Sequence, residues 1–479
     1  MNTPSSPDSY DFIVLGGGSA GYAAARTAHS LGLRTAVIDG AETLGGLCIL
    51  RGCMPSKALI ESANRARTIR RAPEFGLRAS GFEVRGDEIV ARKRALIDDF
   101  AGYRQGQLAD GRFDLIRGRA QFESPREVIV TTRDGAGDRR IRFDSACIAT
   151  GSVIQRLDLP GLDGSGYWTS DDALEATEIP PSIIVLGGGA IALEMACYFE
   201  GLGSEVTVIQ RSAHVLTGTD PDVAGALEVA LRAKPGLTLH TGTRLERVEK
   251  CAADGEFVVH YQMDGRPNVA KASRLLLALG RRPALDGLAL DRAGVDLDAD
   301  GRRIAVDEWM ATSQGHIFAA GDVCSRVEVV HVAIQQGEIA AREAARRLGR
   351  PVIPAPKPMD YRLKLFGVFT DPQVATVGLS EAEAAAAGRA VVSASYPFDD
   401  HGKSMVMGET HGLVKLIADA QTKELLGGAA VGPEAAEIIH EIAVALHFRS
   451  TAAEFLEIPH YHPTLSEIWT YPAEEILDL

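Results

Sequence analysis

The sequence lacks the features of a membrane or secreted protein. Among its 479 residues no apolar run approaches the roughly 20 residues that a membrane-spanning helix needs. Residues 1–11 are polar and do not contain the apolar core of a secretion signal. The six cysteines are too few for a disulfide framework in a chain of this length. These absences predict a cytoplasmic protein with no membrane partner.

The charge balance excludes further partners. A formal net charge of −14 argues against binding to nucleic acid or to an anionic membrane surface. The histidines lack the spacing of metal ligands, so no metal site is predicted. Hydrophobic residues make up 46% of the chain and charged residues 24%, as in ordinary globular proteins. The length predicts two to four domains.

A dinucleotide-binding fingerprint lies near the start of the chain. A predicted strand at 11–15 leads into a G-x-G-x-x-G sequence formed by Gly16, Gly18 and Gly21, and a helix follows. The next predicted strand ends at Asp39. In such a unit the pyrophosphate binds at the helix N-terminus and the acid binds a ribose hydroxyl. We therefore expect a ligand with a free ribose 2′-hydroxyl, such as FAD.

The same pattern recurs further along. After the predicted strand 182–186 come Gly187 and Gly189, with Ala192 in place of the third glycine. The following strand ends not at an acid but at Gln210 and Arg211. Because the ribose-binding acid is missing and a cation stands beside its place, a 2′-phosphate could be accommodated, which favours NADP(H) over NAD(H). The alternative for Arg211 is an exposed loop cation.

Two cysteines, Cys48 and Cys53, stand five positions apart shortly after the first fingerprint. On a regular helix their Cα atoms would be roughly 8–9 Å apart, whereas a disulfide needs less than about 7 Å. If they pair, we expect a distorted first helical turn, which Gly52 and Pro55 would help to form. A strained, accessible disulfide at a helix start is reactive. The alternative is two unrelated buried thiols.

The remaining motifs follow in a fixed order. They are an ATG sequence at 149–151, a GRRP sequence at 280–283, an AGD sequence at 320–322 and an HPTxSE sequence at 462–467. With the two fingerprints and GGxCxxxGCxPSK at 45–57, they cover the chain from about Tyr10 to Trp469. In this order they resemble the class I pyridine nucleotide–disulfide oxidoreductases, which include dihydrolipoyl dehydrogenase, glutathione reductase and mercuric reductase.

The resemblance implies an α/β fold with two Rossmann-type nucleotide-binding domains, for FAD and NAD(P), and a C-terminal α+β dimerisation domain. The expected segments are 1–154 and 282–352 for the FAD and central domain, 155–281 for the NAD(P) domain and 353–479 for dimerisation. The implied cofactor-binding residues are Gly16, Gly18, Gly21, Asp39, Gly46, Lys57, Thr150, Gly151, Gly187, Gly189, Gln210, Arg211, Gly280 and Asp322.

The resemblance also implies the catalytic residues. Cys53 corresponds to the flavin-facing thiol and Cys48 to the thiol that attacks the substrate disulfide. His462, held by Glu467, corresponds to an acid–base supplied by the other subunit, which implies a homodimer with a shared active site. Lys57 and Glu194 correspond to an ion pair against the flavin. Thiol–disulfide exchange needs a proton donor and acceptor near neutral pH, a task that suits histidine.

The chain departs from the family pattern around the cysteines. Leu47 and Leu50 replace threonine and asparagine, and Arg51 replaces a small apolar residue. These changes remove no reacting group but surround the disulfide, and we expect them to affect its potential or the substrate pocket. The last cysteine is Cys324, so the C-terminal cysteine pair of mercuric reductases is absent and mercury reduction is not expected.

The sequence thus predicts an FAD-dependent NAD(P)H:disulfide oxidoreductase, similar to dihydrolipoyl dehydrogenase, acting on a small dithiol or disulfide. The C-terminal motif is closest to dihydrolipoyl dehydrogenase, which normally uses NAD, whereas the Gln210–Arg211 sequence favours NADP(H). An NADPH-dependent reductase of glutathione or another small disulfide is therefore the first alternative. A flavin NAD(P)H oxidase or quinone reductase, or a redox sensor, is the second.

Overall fold

A computed structural model describes residues 8–135 and 137–479. The strands are β1 (Asp8–Leu15), β2 (Thr35–Asp39), β3 (Asp114–Ser124), β4 (Glu127–Thr132), β5 (Asp138–Ile148), β6 (Ser152–Ile154), β7 (Ser182–Leu186), β8 (Glu205–Ile209), β9 (Leu237–His240), β10 (Thr243–Lys250), β11 (Phe257–Met263), β12 (Arg266–Ala272), β13 (Arg274–Leu277), β14 (Arg281–Pro283), β15 (Ile317–Ala319), β16 (Leu365–Val368), β17 (Gln373–Gly378), β18 (Val391–Pro397), β19 (Leu413–Asp419) and β20 (Leu425–Gly432).

The helices are α1 (Ser19–Ser30), α2 (Gly46–Arg51), α3 (Cys53–Arg71), α4 (Gly86–Leu108), α5 (Ser170–Glu175), α6 (Ala190–Leu202), α7 (Pro221–Arg232), α8 (Leu290–Ala293), α9 (Val330–Arg347), α10 (Glu381–Ala386), α11 (Gly402–Met407), α12 (Ala435–Phe448), α13 (Ala452–Leu456) and α14 (Thr470–Asp478). The described residues form two compact units. The first contains 8–55, 93–155 and 281–360, and the second contains 56–92, 156–280 and 361–479.

The first unit is built on a parallel sheet. β1 lies between β2 and β5, and β3 and β15 extend the sheet on either side, all with parallel pairing. The long strands β3 and β5 continue past this core and pair with β4 in antiparallel fashion. Phe12, Ile13 and Val14 are successive and fully buried, which is typical of a parallel strand covered on both faces. α1 and α9 pack so closely that a side chain at Gly337 would overlap the Ala20 carbonyl oxygen.

The second unit contains another parallel sheet, in the order β13-β7-β8-β9. α6 runs between β7 and β8, and most of its side chains are buried against this sheet's core. An antiparallel sheet, β10-β11-β12, follows β9 in the chain. Each glycine fingerprint is thus the turn between the first strand and first helix of a parallel sheet, as a Rossmann unit requires.

The C-terminal part of the second unit is an antiparallel sheet in the order β16-β17-β20-β19-β18, with helices packed on it. Its core contains Trp469, whose ring is fully buried and whose indole N–H donates to the Ile438 carbonyl at 3.2 Å. α14 follows Trp469 directly in the chain.

The predicted fold class is confirmed: two Rossmann-type sheets precede an α+β C-terminal part. The four predicted segments stay predictions. Among the helices of residues 8–135 and 137–479, none combines the length and apolarity needed to cross a membrane.

Candidate functional site

The first glycine turn contains two kinds of glycine. Gly16 has a φ of +105° and a side chain there would overlap the Ala149 carbonyl; one at Gly21 would overlap Gly16 itself. Gly18, by contrast, has an ordinary φ of −68°, and a Cβ there would meet nothing closer than 3.9 Å. Neither backbone nor packing demands glycine at Gly18. The absence of a side chain at Gly18 instead leaves space before the N-terminus of α1. Backbone N–H groups at a helix N-terminus bind phosphate, so the site fits the pyrophosphate of a dinucleotide.

Asp39 ends β2 with its side chain turned back to this turn. One carboxylate oxygen accepts the Gly17 N–H at 2.7 Å, and the other accepts the Ala41 N–H at 2.7 Å. These bonds fix the buried carboxylate beside the turn. A carboxylate has about four lone-pair sites, so acceptor capacity is left for a ribose hydroxyl.

The cysteine segment consists of two helices broken at Gly52. α2 contains Cys48 and ends at Arg51, Gly52 has φ −130° and ψ −114°, and α3 begins at Cys53. The irregular backbone expected between the cysteines is therefore present, and both cysteines are half-buried. Gly46, with a φ of +78°, approaches the glycine turn so closely that its Cβ would lie 2.7 Å from the Gly18 Cα.

A short hydrogen-bonded chain holds Asp322, just beyond β15. The Ser152 hydroxyl donates to an Asp322 carboxylate oxygen at 2.7 Å, and Arg281 Nε donates to the Ser152 oxygen at 2.9 Å. The Thr150 hydroxyl donates to the Ala284 carbonyl at 2.8 Å. Ser152 and Arg281 were not predicted as site residues, although Ser152 directly follows the ATG motif and Arg281 lies within the GRRP motif. Gly151 has a φ of +73°, and a Cβ there would meet nothing within 4 Å.

The second glycine turn repeats the geometry of the first. Gly187 has a φ of +122° and would overlap the Ala278 carbonyl if it carried a side chain. Gly189, the N-cap of α6, has a φ of −84° and open space around its Cβ position. Gly280, with a φ of +101°, is equally open. The turn therefore fits a second phosphate-bearing ligand at the N-terminus of α6.

Gln210 stands where Asp39 stands in the first unit. In the first turn, a Cβ on the middle glycine, Gly17, would lie 2.9 Å from the Asp39 carboxylate. In the second turn, a Cβ on the corresponding Gly188 would lie 2.9 Å from the Gln210 side chain. The two residues therefore occupy equivalent positions, one charged and one neutral. Arg211 follows, and its side chain is exposed.

Lys57 and Glu194 form an ion pair in the second unit. The Lys57 ammonium lies 2.8 Å from both carboxylate oxygens of Glu194, whose side chain is only 5% exposed. The Phe369 backbone N–H donates to the same carboxylate at 3.0 Å, and the Phe369 ring lies 4.6 Å from the ammonium. Phe369 was not predicted, since it is distant in the sequence and belongs to no motif.

His462 and Glu467 also lie together in the second unit. The His462 Nδ1 is 3.0 and 3.2 Å from the two carboxylate oxygens of Glu467, and the imidazole is 78% exposed. The buried His401 also lies near this carboxylate, with its Nε2 3.4 Å from a Glu467 oxygen. A carboxylate on Nδ1 fixes the tautomer and leaves Nε2 to exchange a proton.

The structure brings together the predicted pairs Lys57–Glu194 and His462–Glu467, and it places Asp39 on its glycine turn. In the part of the chain that the structure describes, no cluster of histidine, cysteine or carboxylate side chains is arranged to hold a metal ion. The catalytic and binding roles of these residues stay predictions.

Comparison with known proteins agrees with this arrangement. The family profile for pyridine nucleotide-disulphide oxidoreductases matches residues 10–337, and the profile for the dimerisation domain of the same family matches residues 366–473. A dihydrolipoyl dehydrogenase of Bacillus subtilis is 34% identical over 96% of both chains. One of Thermus scotoductus is 36% identical over 96% of this chain and 95% of its own.

The solved structures lead to the same family. The crystal structure of LpdA from Mycobacterium tuberculosis matches with a TM-score of 0.84 at 29% identity, over 98% of this chain and 99% of its own. The resemblance derived from the motifs is confirmed, as are a flavoprotein disulfide oxidoreductase activity of the dihydrolipoyl dehydrogenase type, the use of FAD with a pyridine nucleotide, and a homodimer. The chain belongs to the pyridine nucleotide-disulphide oxidoreductase family.

Proposed function

We propose that the protein transfers electrons between NADP(H) and a small dithiol or disulfide, with Cys48 and Cys53 as its redox pair and His462 as its acid–base. The observation that carries the proposal is the His462–Glu467 pair, in which the carboxylate holds Nδ1 and the imidazole is 78% exposed. A histidine fixed in this way has its Nε2 available to an outside group, as proton exchange with a thiol requires.

In the direction of disulfide reduction, the Cys48 thiolate attacks the substrate disulfide and forms a mixed disulfide. The leaving thiolate takes a proton from His462. His462 then accepts the Cys53 proton as Cys53 attacks Cys48, and it passes this proton to the second substrate thiolate, which leaves the Cys48–Cys53 disulfide. Bound FAD supplies the two-electron exchange between this pair and the nicotinamide. The break at Gly52 supports the assignment because it leaves the two cysteines on separate helices rather than on one regular helix.

In the homodimer, the cysteines of one protomer can be served by the exposed histidine of the other. His462 lies within the segment matched by the dimerisation profile. We propose that His462 of one protomer serves the cysteines of the other, so that neither protomer is active alone.

The preference for NADP(H) is proposed on the contrast between the two Rossmann units. The carboxylate of Asp39 is replaced by the neutral Gln210, so a 2′-phosphate would meet no negative charge at that position. Arg211 is exposed next to it and available to bind a phosphate. A redox-active cysteine pair also suits a reducing compartment, which supports a cytoplasmic location.

The decisive experiment is anaerobic reduction of the purified, FAD-loaded protein with NADH and NADPH in parallel, followed by absorbance. We expect faster reduction by NADPH and a long-wavelength thiolate-to-flavin charge-transfer band. Bleaching of the flavin without such a band would refute the cysteine relay. Faster reduction by NADH would refute the NADP(H) preference alone and would move the substrate search towards lipoamide.

Cys48→Ser separates this function from a flavin oxidase or quinone reductase. We expect it to lose disulfide turnover and to keep electron transfer to an artificial dye. If turnover of the disulfide were unchanged in Cys48→Ser, the redox role of the cysteines would be wrong.

A further inference from the structure

A second imidazole lies behind the His462–Glu467 pair. His401 directly precedes α11 and is fully buried. Its Nδ1 lies 2.8 Å from the Ser404 hydroxyl oxygen. Its Nε2 lies 3.4 Å from a Glu467 carboxylate oxygen but makes no well-aligned hydrogen bond with any residue in 8–135 or 137–479. A buried polar nitrogen without a hydrogen bond lowers the stability of the folded protein. The orientation of this nitrogen towards a carboxylate therefore points to a role for the pair.

We propose that His401 is a positioning residue that acts on His462 through Glu467, whose carboxylate it shares. The inference rests on the proposed function, in which His462 exchanges protons with thiols. Its basis is the geometry: one carboxylate has an exposed imidazole nitrogen at 3.0 Å and a buried one at 3.4 Å. Glu467 itself is only 12% exposed, so water does little to compete for its oxygens.

The surroundings of His401 determine its charge. The charged groups that act on it are Glu467 and His462, and its other neighbours are the Ser404 hydroxyl and the rings of Phe398 and Tyr471. Burial lowers the pKa of His401 below its ordinary value, and Glu467 acts in the opposite direction. The ring is therefore neutral near pH 7 and carries one N–H.

The Ser404 hydroxyl decides which nitrogen carries that hydrogen. If the hydroxyl donates to Nδ1, the N–H is on Nε2 and faces Glu467. A small movement of the carboxylate would then complete an N–H···O bond. The carboxylate would be held from behind by a neutral donor and from the front by His462, which fixes the position of the His462 ring.

The shared carboxylate also tunes proton transfer. A carboxylate that accepts a hydrogen bond from His401 offers less negative charge to His462 and stabilises its imidazolium less. Removing the His401 donor should therefore displace the pH profile of the thiol half-reaction to higher pH, which a purely packing role for His401 would not produce.

The test compares His401→Leu, which removes the donor, with His401→Gln, whose side-chain amide can place an N–H near the position of Nε2. The FAD-loaded dimer is assayed for reduction of lipoamide between pH 5.5 and 9. For His401→Leu we expect the apparent pKa of disulfide turnover to rise by about one unit, and for His401→Gln to return near wild type. Equal profiles for the two variants and wild type, or equal displacement in both variants, would overturn the proposal.

Two further variants keep the test decisive. If His401→Leu does not fold with FAD, Ser404→Ala takes its place, because it removes the group that fixes the tautomer. It should displace the profile in the same direction, and an unchanged profile would overturn the proposal. His462→Gln separates the two hypotheses. If it leaves disulfide turnover unchanged, the proposed function is wrong; if it slows turnover while the His401 variants keep the wild-type profile, only the His401 inference is wrong.

Discussion

The Lys57 ammonium lies 2.8 Å from both oxygens of the Glu194 carboxylate, on helices that the sequence separates by more than a hundred residues. Glu194 is 5% exposed and Lys57 30%, so the carboxylate depends on protein groups for its stabilisation. The Phe369 N–H supplies the remaining hydrogen bond. A buried carboxylate held by a cation and a backbone donor keeps the ammonium in one place, which the predicted role of Lys57 beside the flavin requires.

Glu194→Gln is expected to slow flavin reduction by the nicotinamide about 10- to 100-fold. The substitution keeps the shape of the side chain but removes the charge that holds Lys57, and a hydrogen bond to a charged group is worth about 1.5–3 kcal/mol. Stopped-flow absorbance measures the rate. The control is Glu61→Gln, which breaks the exposed Arg65–Glu61 pair on the same helix as Lys57. Similar rates in the two variants would contradict a role for the buried pair.

His462→Gln is expected to slow disulfide turnover by about 10²- to 10⁴-fold, the usual effect of losing a general acid–base. Flavin reduction by the nicotinamide should stay within twofold, because hydride transfer to the flavin moves no proton to or from a thiol. His440→Gln, at an exposed histidine of α12, is the matched control. A reduction in turnover of less than threefold would refute the assignment of His462.

These pairs show how far sequence reasoning reached. The fingerprints located Asp39, Gly187 and Gly189 because a glycine turn between a strand and a helix has local sequence rules. The pairing of His462 with Glu467 was predicted from the resemblance to the family, whose C-terminal motif contains both residues. Local sequence rules located the glycine turns and Asp39, and the resemblance supplied the histidine–glutamate pair.

Contacts that depend on packing were not predictable. Phe369, between β16 and β17, contacts Glu194 from 175 residues away in the sequence. His401 contacts Glu467 from a separate segment of the chain. Ser152 donates a hydrogen bond to Asp322, and Arg281 donates one to Ser152 from a separate strand. No spacing rule joins such residues, because strand pairing and tertiary packing determine their distances.

Arg211→Ala is expected to raise the KM for NADPH about tenfold and to leave the KM for NADH within twofold. An exposed guanidinium that binds a phosphate contributes about the free energy of one charge-assisted hydrogen bond. Initial-rate kinetics with both nucleotides measure the effect. Arg247→Ala removes an exposed arginine elsewhere in the same unit and serves as the control for lost positive charge. Equal changes for NADPH and NADH would refute a contact with the 2′-phosphate.

Gly46→Ala is expected to yield protein with at least tenfold weaker FAD binding. The added Cβ would lie 2.7 Å from the Gly18 Cα, so the glycine turn or the cysteine segment must move, and the φ of +78° adds strain. Flavin content after dialysis gives the measurement. Gly111→Ala is the matched control, since its φ is +87° but nothing lies within 4 Å of its Cβ. Retention of FAD by both variants would show that the close approach is dispensable.

The folding stability should fall as the pH drops below about 6.5. Burial lowers the pKa of His240, His316 and His401 in the folded protein, whereas in the unfolded chain these residues take up protons near 6.5. Between the two pKa values the unfolded chain binds more protons, so lowering the pH favours unfolding; above 6.5 both states are neutral and the stabilisation is complete.

Thermal unfolding at pH 7.5 and 5.5 measures this dependence. The Tm of wild type should be lower at pH 5.5 than at pH 7.5. The difference should be smaller for His401→Gln because glutamine does not titrate. His440→Gln, which replaces an exposed histidine of α12, is the control for the substitution itself. Because other groups titrate identically in all three proteins, the difference between the variants isolates the contribution of His401. An equal fall in wild type and His401→Gln would mean that His401 is protonated as readily in the folded protein as in the unfolded chain.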